Sequence, residues 1–468
     1  MPFRLTPPPG KPLRDFLFAY GVEFPCGGKG TCRKCRVRVL EGEVEPGAED
    51  KEPGWILACR AIARTPLLLD IGQWDAPVLA DETAVPVVAR PGRAIAIDLG
   101  TTTLVAQLVD LATGSVLGVS TALNPQAVYG SDVMSRIQHA LGSDARRQLR
   151  ALIHGELSRM CRELARGEPV ESVVIAGNTA MMHLFASYDV ASLSQAPFHP
   201  LHPGLQTFED REFPGPVHFL PYLGGFVGSD ILAGIIATGM DASDDLTVLI
   251  DLGTNGEIVA GTRQRMVCAS TAAGPAFEGG RISCGMRAAT GAISEVSLAF
   301  ECHVIGGGPA RGVCGSGLVD AISAGLAAGR ILSSGRMVQP LELRDGVRLM
   351  QADVRELQLA KAAIAAGTRI LLRRLGKTLD DVRRVYLAGA FGNYINRSSA
   401  RAIGLLEFAE ELVEPAGNTA LLGAKIALFQ NRDYSFADLL SRVEHVPLGH
   451  GTEFQDEYVD CMSFPNPR

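Results

Sequence analysis

The sequence lacks several features of exported, membrane-spanning or nucleic-acid-binding proteins. Its N-terminus, MPFRLTPPPG, contains no apolar segment of the kind that a secretory signal needs. No stretch approaches the roughly 18 consecutive apolar residues of a membrane span. With 44 basic residues against 51 acidic ones, the net charge is -7, so the chain has no basic excess with which to bind a polyanion. We therefore expect a cytoplasmic protein with no membrane or nucleic-acid partner.

Two familiar catalytic patterns are also missing, since neither an HExxH motif nor a Ser-His-Asp set stands out. His183, within MMHLF, is interpreted as a core or interlobe histidine. Hydrophobic residues make up 47% of the 468 residues and charged residues 20%, which is ordinary for a globular protein. At about 150 residues per domain, this length predicts two to four domains.

The sequence does contain a cluster of cysteines near its start. Four of its ten cysteines lie within the first sixty residues: Cys26, Cys32, Cys35 and Cys59. In a reducing compartment such a cluster indicates metal ligands rather than disulfides. The arrangement C-x5-C-x2-C-x23-C matches the three-plus-one layout of plant-type [2Fe–2S] ferredoxins, although their first interval is C-x4-C. A zinc site and a thiol cluster that has lost its metal remain alternatives.

Residues 1–74, which contain this cluster, resemble a β-grasp ferredoxin domain. Only 25 residues precede Cys26, which leaves room for one short strand and a helix where that family has a full hairpin. We therefore expect one edge of the sheet to be missing, exposed or supplied by a partner. Residues 75–93 contain three prolines and are predicted to be a linker.

The remainder of the chain carries an internal repeat. AIAIDLGTTTLVAQLVD (94–110) matches TVLIDLGTNGEIVAG (247–261), with Ile-Asp-Leu-Gly-Thr identical in both. Each copy predicts a buried strand, a tight glycine turn and a return strand. We expect an α/β fold with two related lobes, at 94–246 and 247–468, the C-terminal segment packing back on the first lobe.

Both turns of the repeat are predicted to bind phosphate. Asp98 and Asp251 end the two strands, where a carboxylate can hold a Mg²⁺-water shell. Gly100 and Gly253 let backbone N–H groups approach phosphate oxygens. Side chains that add donors are Thr101, Thr102, Thr103, Thr254 and Asn255. Because any β-turn favours Asp, Gly and Thr, the evidence comes from finding two copies at domain spacing.

A third nucleotide-contacting turn is predicted in LAGAFGNYI (387–395), at Gly389, Ala390, Phe391 and Gly392. Glycines also open predicted helices in AAGPAFEGG and GVCGSGLVDAIS, where an anion or ribose would bind, and the candidates are Gly274, Gly315 and Ser316. Glu278 either binds a ribose hydroxyl or caps a helix. Together the three turns resemble those of the actin, sugar kinase and Hsp70 ATPase superfamily. That resemblance implies ribonuclease H-like halves that bind ATP with Mg²⁺; a duplicated fold without nucleotide is the alternative.

The combination of this ATPase pattern with the cysteine cluster resembles the reductive activators of corrinoid proteins. The shared motifs span nearly the whole chain and are CGGxGxCxxC, DLGTTT, NPQAVYGSDVMSRI, AGNTAMMH, PYLGGFVGSD, DLGTNGE, AGPAFEGG, CGSGLVDA, LAGAFGNYIN and GNTALLGAKIAL. The resemblance implies that ATP drives the return of cob(II)amide to cob(I)amide on a corrinoid protein or cobalamin-dependent methyltransferase. It also implies an upstream low-potential electron donor, and a Mg²⁺-ATP site at Asp98 and Asp251 where one of these, or Glu257, orients the attacking water.

The chain departs from larger members of that family in the short stretch between Cys59 and Arg93. Larger members carry a linker and a middle domain there, and the middle domain is associated with dimerisation, so a homodimer stays open. Two other functions are weighed against the main one: an ATP-gated electron donor to a different metalloenzyme, and a small-molecule kinase with a ferredoxin appendage. A redox-sensing scaffold with an inactive ATPase is the non-enzymatic alternative.

Overall fold

A computed structural model of the chain describes residues 2–7, 10–17, 22, 35–45, 47–48, 54–70, 83, 85–130, 132–253, 255–430, 433–449 and 452–466. Three predicted site residues, Cys26, Cys32 and Thr254, lie outside these ranges, as does the side chain of Ala390. None of the helices in these ranges is both long and apolar enough to cross a membrane.

The N-terminal unit is a small antiparallel sheet packed on a short helix. Its elements are β1 (Pro2–Leu5), α1 (Arg14–Leu17), β2 (Arg36–Glu41), β3 (Trp55–Leu57) and β4 (Leu67–Asp70), and the strand order is β1-β4-β2-β3. Burial alternates along β4, and the buried residues of the sheet pack with Leu13 and Leu17 in one core. β1 pairs with β4 and forms one edge of the sheet.

Sheet I is the first of two six-stranded sheets, in the order β7-β6-β5-β8-β10-β9. Its strands are β5 (Arg93–Leu99), β6 (Thr103–Asp110), β7 (Val116–Leu123), β8 (Val173–Gly177), β9 (Gln206–Phe208) and β10 (Val217–Phe219). β5 runs antiparallel to β6 and parallel to β8. The two parallel strands are almost continuously apolar, as strands covered on both faces must be. The helices of this half are α2 (Val133–His139), α3 (Ser143–Ala165), α4 (Thr179–Ala186) and α5 (Ser229–Thr238).

Sheet II has the order β20-β19-β11-β12-β13-β21 and repeats five strands of sheet I, with its sixth strand at the opposite edge. Its strands are β11 (Thr247–Leu252), β12 (Gly256–Thr262), β13 (Arg265–Thr271), β19 (Arg384–Ala388), β20 (Val413–Gly417) and β21 (Val443–His445). β11 runs antiparallel to β12 and parallel to β19, as β5 does to β6 and β8. The predicted duplicated α/β fold class is confirmed.

Smaller elements complete the second half. They are β14 (Ala292–Val296), β15 (Cys302–Val304), β16 (Gly312–Val313), β17 (Leu341–Glu342), β18 (Arg348–Leu349), α6 (Gly315–Ala327), α7 (Gln351–Arg374), α8 (Gly389–Tyr394), α9 (Arg397–Ala402), α10 (Thr419–Gln430), α11 (Ala437–Ser441) and α12 (Thr452–Asp460).

Helices α5 and α10 pack against each other between the two sheets. A Cβ at Gly423 would lie 2.0 Å from the carbonyl oxygen of Ala233, so only glycine allows the backbones to approach this closely. α10 also contacts β5 and β8 of sheet I, whereas α12 contacts α7 in the second half. The C-terminal region is thus divided between the halves. The domain limits at residues 74, 93 and 246 remain predictions.

Candidate functional site

The first loop, Gly100–Thr103, is a tight turn between β5 and β6. The N–H of Gly100 donates to the carbonyl of Thr103 at 3.1 Å. A Cβ at Gly100 would lie 2.5 Å from that carbonyl oxygen, so this turn requires glycine. Thr101, Thr102 and Thr103 are half-buried. Asp98 therefore stands at the end of a rigid strand, directly before a narrow backbone turn.

The second loop lies between β11 and β12 and is also closed by a backbone hydrogen bond from its glycine. The N–H of Gly253 donates to the carbonyl of Asn255 at 3.0 Å. Asp251 lies opposite Glu257 across the antiparallel ladder and beside Ala388 of the parallel neighbour β19. The carboxylate of Glu257 accepts a hydrogen bond from the Ser270 hydroxyl at 3.2 Å. The pairing of β11 with β12 therefore places Glu257, a residue predicted to orient the attacking water, next to Asp251.

Four carboxylates influence one another where the loops meet. Burial raises the pKa of Asp98 to about 7, and repulsion by Asp251 adds to the rise. Burial raises the pKa of Asp251 to about 6. The pKa values of Glu257 and Asp230 are raised by burial first and by neighbouring carboxylates second. Such a concentration of acid groups is stabilised by a cation.

Asp230 is a further candidate site residue, for which no role was predicted from the PYLGGFVGSD stretch that contains it. It is the second residue of α5, and one of its carboxylate oxygens accepts from the N–H of Ile231 at 2.9 Å. Its position near Asp98, Asp251 and Glu257 comes from the packing of α5 between the two sheets. The only sequence feature that could have indicated Asp230 is the Gly-Ser-Asp stretch at a helix start. Such stretches are too common to identify a site without the fold.

The donor set fits Mg²⁺ that arrives with a nucleotide. Among the described residues, no three His, Cys, Asp or Glu side chains are arranged to enclose a metal ion by themselves. Mg²⁺ commonly keeps several waters and is held by one or two carboxylates together with phosphate oxygens. Asp98 and Asp251, each at the end of a strand and beside a glycine turn, provide that kind of partial coordination.

A repeated five-residue motif braces the first loop. Ala-Gly-Asn-Thr-Ala occurs at 176–180 and again at 416–420. Asn178 caps α4 by accepting from the N–H of Met181 at 2.9 Å, and its amide donates to the Thr101 hydroxyl at 2.9 Å. Asn418 accepts from the N–H of Leu421 at 2.9 Å and donates to a carboxylate oxygen of Asp98 at 2.9 Å. Asn178 therefore connects a helix start to the first loop, and Asn418 connects another to the end of β5 just before that loop; the repeat could have revealed these related roles.

The third predicted turn adjoins the second loop. Gly389 has a φ of +81°, and a Cβ there would lie 2.8 Å from a carboxylate oxygen of Asp251. Phe391 stacks on Phe277 with ring centroids 4.7 Å apart. A Cβ at Gly315 would lie 2.0 Å from the carbonyl oxygen of Phe277. The structure thus brings together three stretches that are far apart in the chain.

The remaining candidates near this turn differ in their surroundings. Gly392 follows on α8, where a Cβ would lie 3.2 Å from atoms of Leu387. Gly274 has a φ of +79° and open space at its Cβ position, and Glu278 ends the helical turn that begins just after it. The Ser316 hydroxyl donates to the carbonyl of Ser294 at 2.8 Å, so its proton is engaged by the fold. The nucleotide roles of these residues remain predictions.

Replacing Gly389 by alanine should weaken Mg²⁺-ATP binding by about tenfold, because the added methyl group meets a positive φ and displaces the Asp251 carboxylate. Titration calorimetry measures the effect. Gly376→Ala is the matched control, since Gly376 also has a positive φ, +67°, but nothing within 4 Å of its Cβ position. Equal loss of ATP affinity in the two variants would contradict the explanation that the methyl group acts by displacing the Asp251 carboxylate.

The two described cysteines of the N-terminal cluster lie together in the core of that unit. Cys35 is 1% exposed and Cys59 is 7% exposed. The N–H of Ala58 donates to the carbonyl of Cys35 at 3.0 Å, which places the residue before Cys59 against Cys35. Adjacent buried thiols of this kind fit iron–sulfur ligation. The other two predicted ligands, Cys26 and Cys32, lie outside the described residues.

Comparison with protein families divides the chain into three matches. Residues 2–64 match a 2Fe–2S iron-sulfur cluster binding domain. Residues 93–243 match the RACo middle region, and residues 245–468 match the C-terminal domain of RACo, described as the ASKHA domain. The chain belongs to the RACo family. Membership confirms the predicted family and the predicted fold class, a [2Fe–2S] domain followed by an actin-like ATPase fold that binds ATP with Mg²⁺.

Individual relatives of the RACo family agree with this assignment. The chain is 34% identical to the corrinoid activation enzyme RamQ of Eubacterium limosum, over 62% of this chain and 55% of that protein. It is 25% identical to the [Co(II) methylated amine-specific corrinoid protein] reductase of Methanosarcina barkeri, over 63% of each. A solved structure of a reductive activator for corrinoid, iron-sulfur protein superposes with a TM-score of 0.70 at 28% identity, covering 99% of this chain and 97% of that one. The matches to the two curated relatives span less than two thirds of each.

Proposed function

We propose that this protein is an ATP-dependent reductive activator. It would transfer one electron to the cob(II)amide of a corrinoid protein or corrinoid-dependent methyltransferase and so regenerate cob(I)amide. The observation that carries the proposal is the presence, in one RACo-family chain, of a 2Fe–2S domain and an ASKHA domain. The cytoplasm is the compartment that suits thiolate ligands.

The need for ATP follows from reduction potentials. Plant-type clusters lie near -400 mV, and the family resemblance implies a lower potential for the Co(II)/Co(I) couple. A one-electron transfer that is uphill by about 60 mV costs about 1.4 kcal/mol. ATP can help only if it is coupled to states that differ in their affinity for the corrinoid protein. We infer that closure of the two halves on ATP changes the complex with the corrinoid protein and that hydrolysis releases it.

The residues divide into two sets with different tasks. Cys35 and Cys59, together with Cys26 and Cys32, would hold a [2Fe–2S] cluster, which supplies one-electron chemistry when bound. Asp98 and Asp251 would hold the Mg²⁺ of ATP between the two glycine turns. Glu257 is 9% exposed and lies opposite Asp251, where a carboxylate can orient water toward a phosphate.

The electron balance requires an external donor. Each turnover moves one electron from the protein to cobalt, so a low-potential one-electron reductant must restore the protein before the next turnover. The corrinoid protein is the acceptor, and its cobalt is the substrate. A homodimer remains a prediction.

The direct test mixes the reconstituted protein, a low-potential reductant, Mg²⁺-ATP and a corrinoid methyltransferase subunit in the cob(II)amide state. Absorption of cob(I)amide should appear with ATP and stay at background without it. Asp98→Asn tests whether reduction needs bound Mg²⁺-ATP, and Cys59→Ala tests whether it needs the [2Fe–2S] cluster. Failure to form cob(I)amide with any corrinoid subunit would contradict the proposal, and phosphorylation of a small molecule without reductant would favour a kinase.

A further inference from the structure

The interior side of the first loop is bound by groups that the proposed function does not use. The carbonyl of Gly100 accepts from the side-chain amide of Asn124 at 2.8 Å. The carbonyl of Thr101 accepts from Nη2 of Arg136. The carbonyl of Thr102 accepts from the backbone N–H of Asn124 at 2.8 Å. Three consecutive carbonyls are therefore held toward the interior.

The orientation of these carbonyls sets the direction of the backbone N–H groups. In a trans peptide the C=O of one residue and the N–H of the next point in opposite directions. The N–H groups of Thr101 and Thr102 consequently point away from the interior, and neither donates to another described residue. Adjacent N–H groups that point outward from a turn form a binding site for an anion.

Arg136 is an unusual group for this position. Its side chain is completely buried, with Nε donating to the carbonyl of Gly130 at 2.8 Å and Nη1 lying 3.5 Å from Sδ of Met181. Within the described part of the chain it forms no salt bridge. Burial lowers the pKa of Arg136 to about 9 while the charge of Asp132 opposes this change, so the guanidinium remains charged at neutral pH. A buried cation among neutral partners is costly, and its charge lies directly behind the loop.

We propose that Arg136 is a positioning residue for the phosphates of ATP. Its guanidinium holds the first loop in the orientation that presents the N–H groups of Thr101 and Thr102, and its charge adds attraction for an anion at that loop. Asn124 assists through neutral hydrogen bonds. This inference rests on the proposed function only in taking Mg²⁺-ATP as the ligand.

The test compares binding of a non-hydrolysable Mg²⁺-ATP analogue with binding of adenosine, by titration calorimetry. Arg136→Met should weaken binding of the analogue by about 30-fold, the scale of a lost charge-assisted interaction, and change adenosine binding by less than about twofold. Arg136→Lys keeps the charge and one donor, so it should recover part of the affinity. Asn124→Ala removes the neutral donor to the Gly100 carbonyl and the acceptor for the N–H of Gln126, and it should weaken analogue binding by about fivefold.

Lys361→Met provides a matched control for general destabilisation. Lys361 is also a buried cation that donates to a backbone carbonyl, that of Ser463 at 2.6 Å, but it lies on α7 beside the C-terminal residues. This variant should lower the melting temperature without changing the ratio of the two affinities. If Arg136→Met does not fold, Arg136→Lys and Asn124→Ala decide the question.

Two results would overturn the inference. One is analogue binding within threefold of the wild type in folded Arg136→Met or, if that variant does not fold, wild-type analogue binding in Asn124→Ala; the other is an equal loss of analogue and adenosine binding. Either would leave the proposed function untouched, because the wild-type protein would still bind nucleotide. A wild-type protein that binds no Mg²⁺-ATP would instead overturn both.

Discussion

Replacing Cys59 by alanine should abolish reduction of the corrinoid substrate while leaving ATP hydrolysis within about twofold of the wild type. Cys59 belongs to the predicted ligand set, and a three-cysteine remainder does not complete the Cys₄ set of a [2Fe–2S] centre. The N-terminal unit has its own core, in which Cys59 packs with Cys35 and Leu13, so the change should not reach the ATPase half. Visible absorption, iron content and cob(I)amide formation measure the effect.

Cys302→Ser is the matched control for the loss of a thiol. Cys302 is half-buried on β15, and its thiol lies 3.6 Å from the carbonyl of Phe300. Serine can replace that contact, so colour and cobalt reduction should both persist. A coloured Cys59→Ala protein that still reduces cobalt would show that the ligand set is wrong.

Replacing Asp98 by asparagine should lower ATP hydrolysis by about a hundredfold or more, since losing one ligand of a catalytic Mg²⁺ costs several kcal/mol and each 1.36 kcal/mol is about tenfold in rate. The shape of the site should survive, because the new amide oxygen can still accept from Asn418. Stability should stay equal or rise, because the change removes one of several mutually repelling buried carboxylates. Steady-state ATPase assays and thermal unfolding measure the two effects.

Asp353→Asn separates a local effect from general damage. Asp353 is fully buried and accepts from the N–H of Ser283 at 2.7 Å and from that of Met350 at 2.8 Å. Its replacement should lower the melting temperature but spare hydrolysis in the folded protein. If Asp98→Asn instead lost stability and retained activity, the Mg²⁺ role of Asp98 would be wrong.

The local chemistry of the site was predictable. In both DLGT stretches, apolar residues typical of a strand are followed by a glycine and a threonine. The structure shows why the first turn needs glycine: any Cβ at Gly100 would meet the carbonyl of Thr103. The duplication could be recognised without a structure because the Ile-Asp-Leu-Gly-Thr motif occurs twice in the chain. His183 was expected in a core or between the lobes, and it is fully buried.

The partners of these loops were not predictable. Arg136 reaches the first loop across 35 positions, and Asn418 reaches Asp98 across 320 positions. In the sequence, nothing distinguishes Arg136 from any other arginine of a helix. The two Ala-Gly-Asn-Thr-Ala copies lie 240 positions apart, and only the fold brings Asn178 to Thr101 and Asn418 to Asp98.

What the sequence determined by itself is the set of local conformations, the repeat, the cysteine spacing and, through these, the family. Turn and strand preferences are properties of neighbouring residues, so they can be read along the chain. Only the tertiary structure decided which carboxylates meet, because Asp230 is carried to Asp98 and Asp251 by the packing of α5 against α10. That packing depends on a close backbone approach at Gly423, a contact between residues nearly two hundred positions apart.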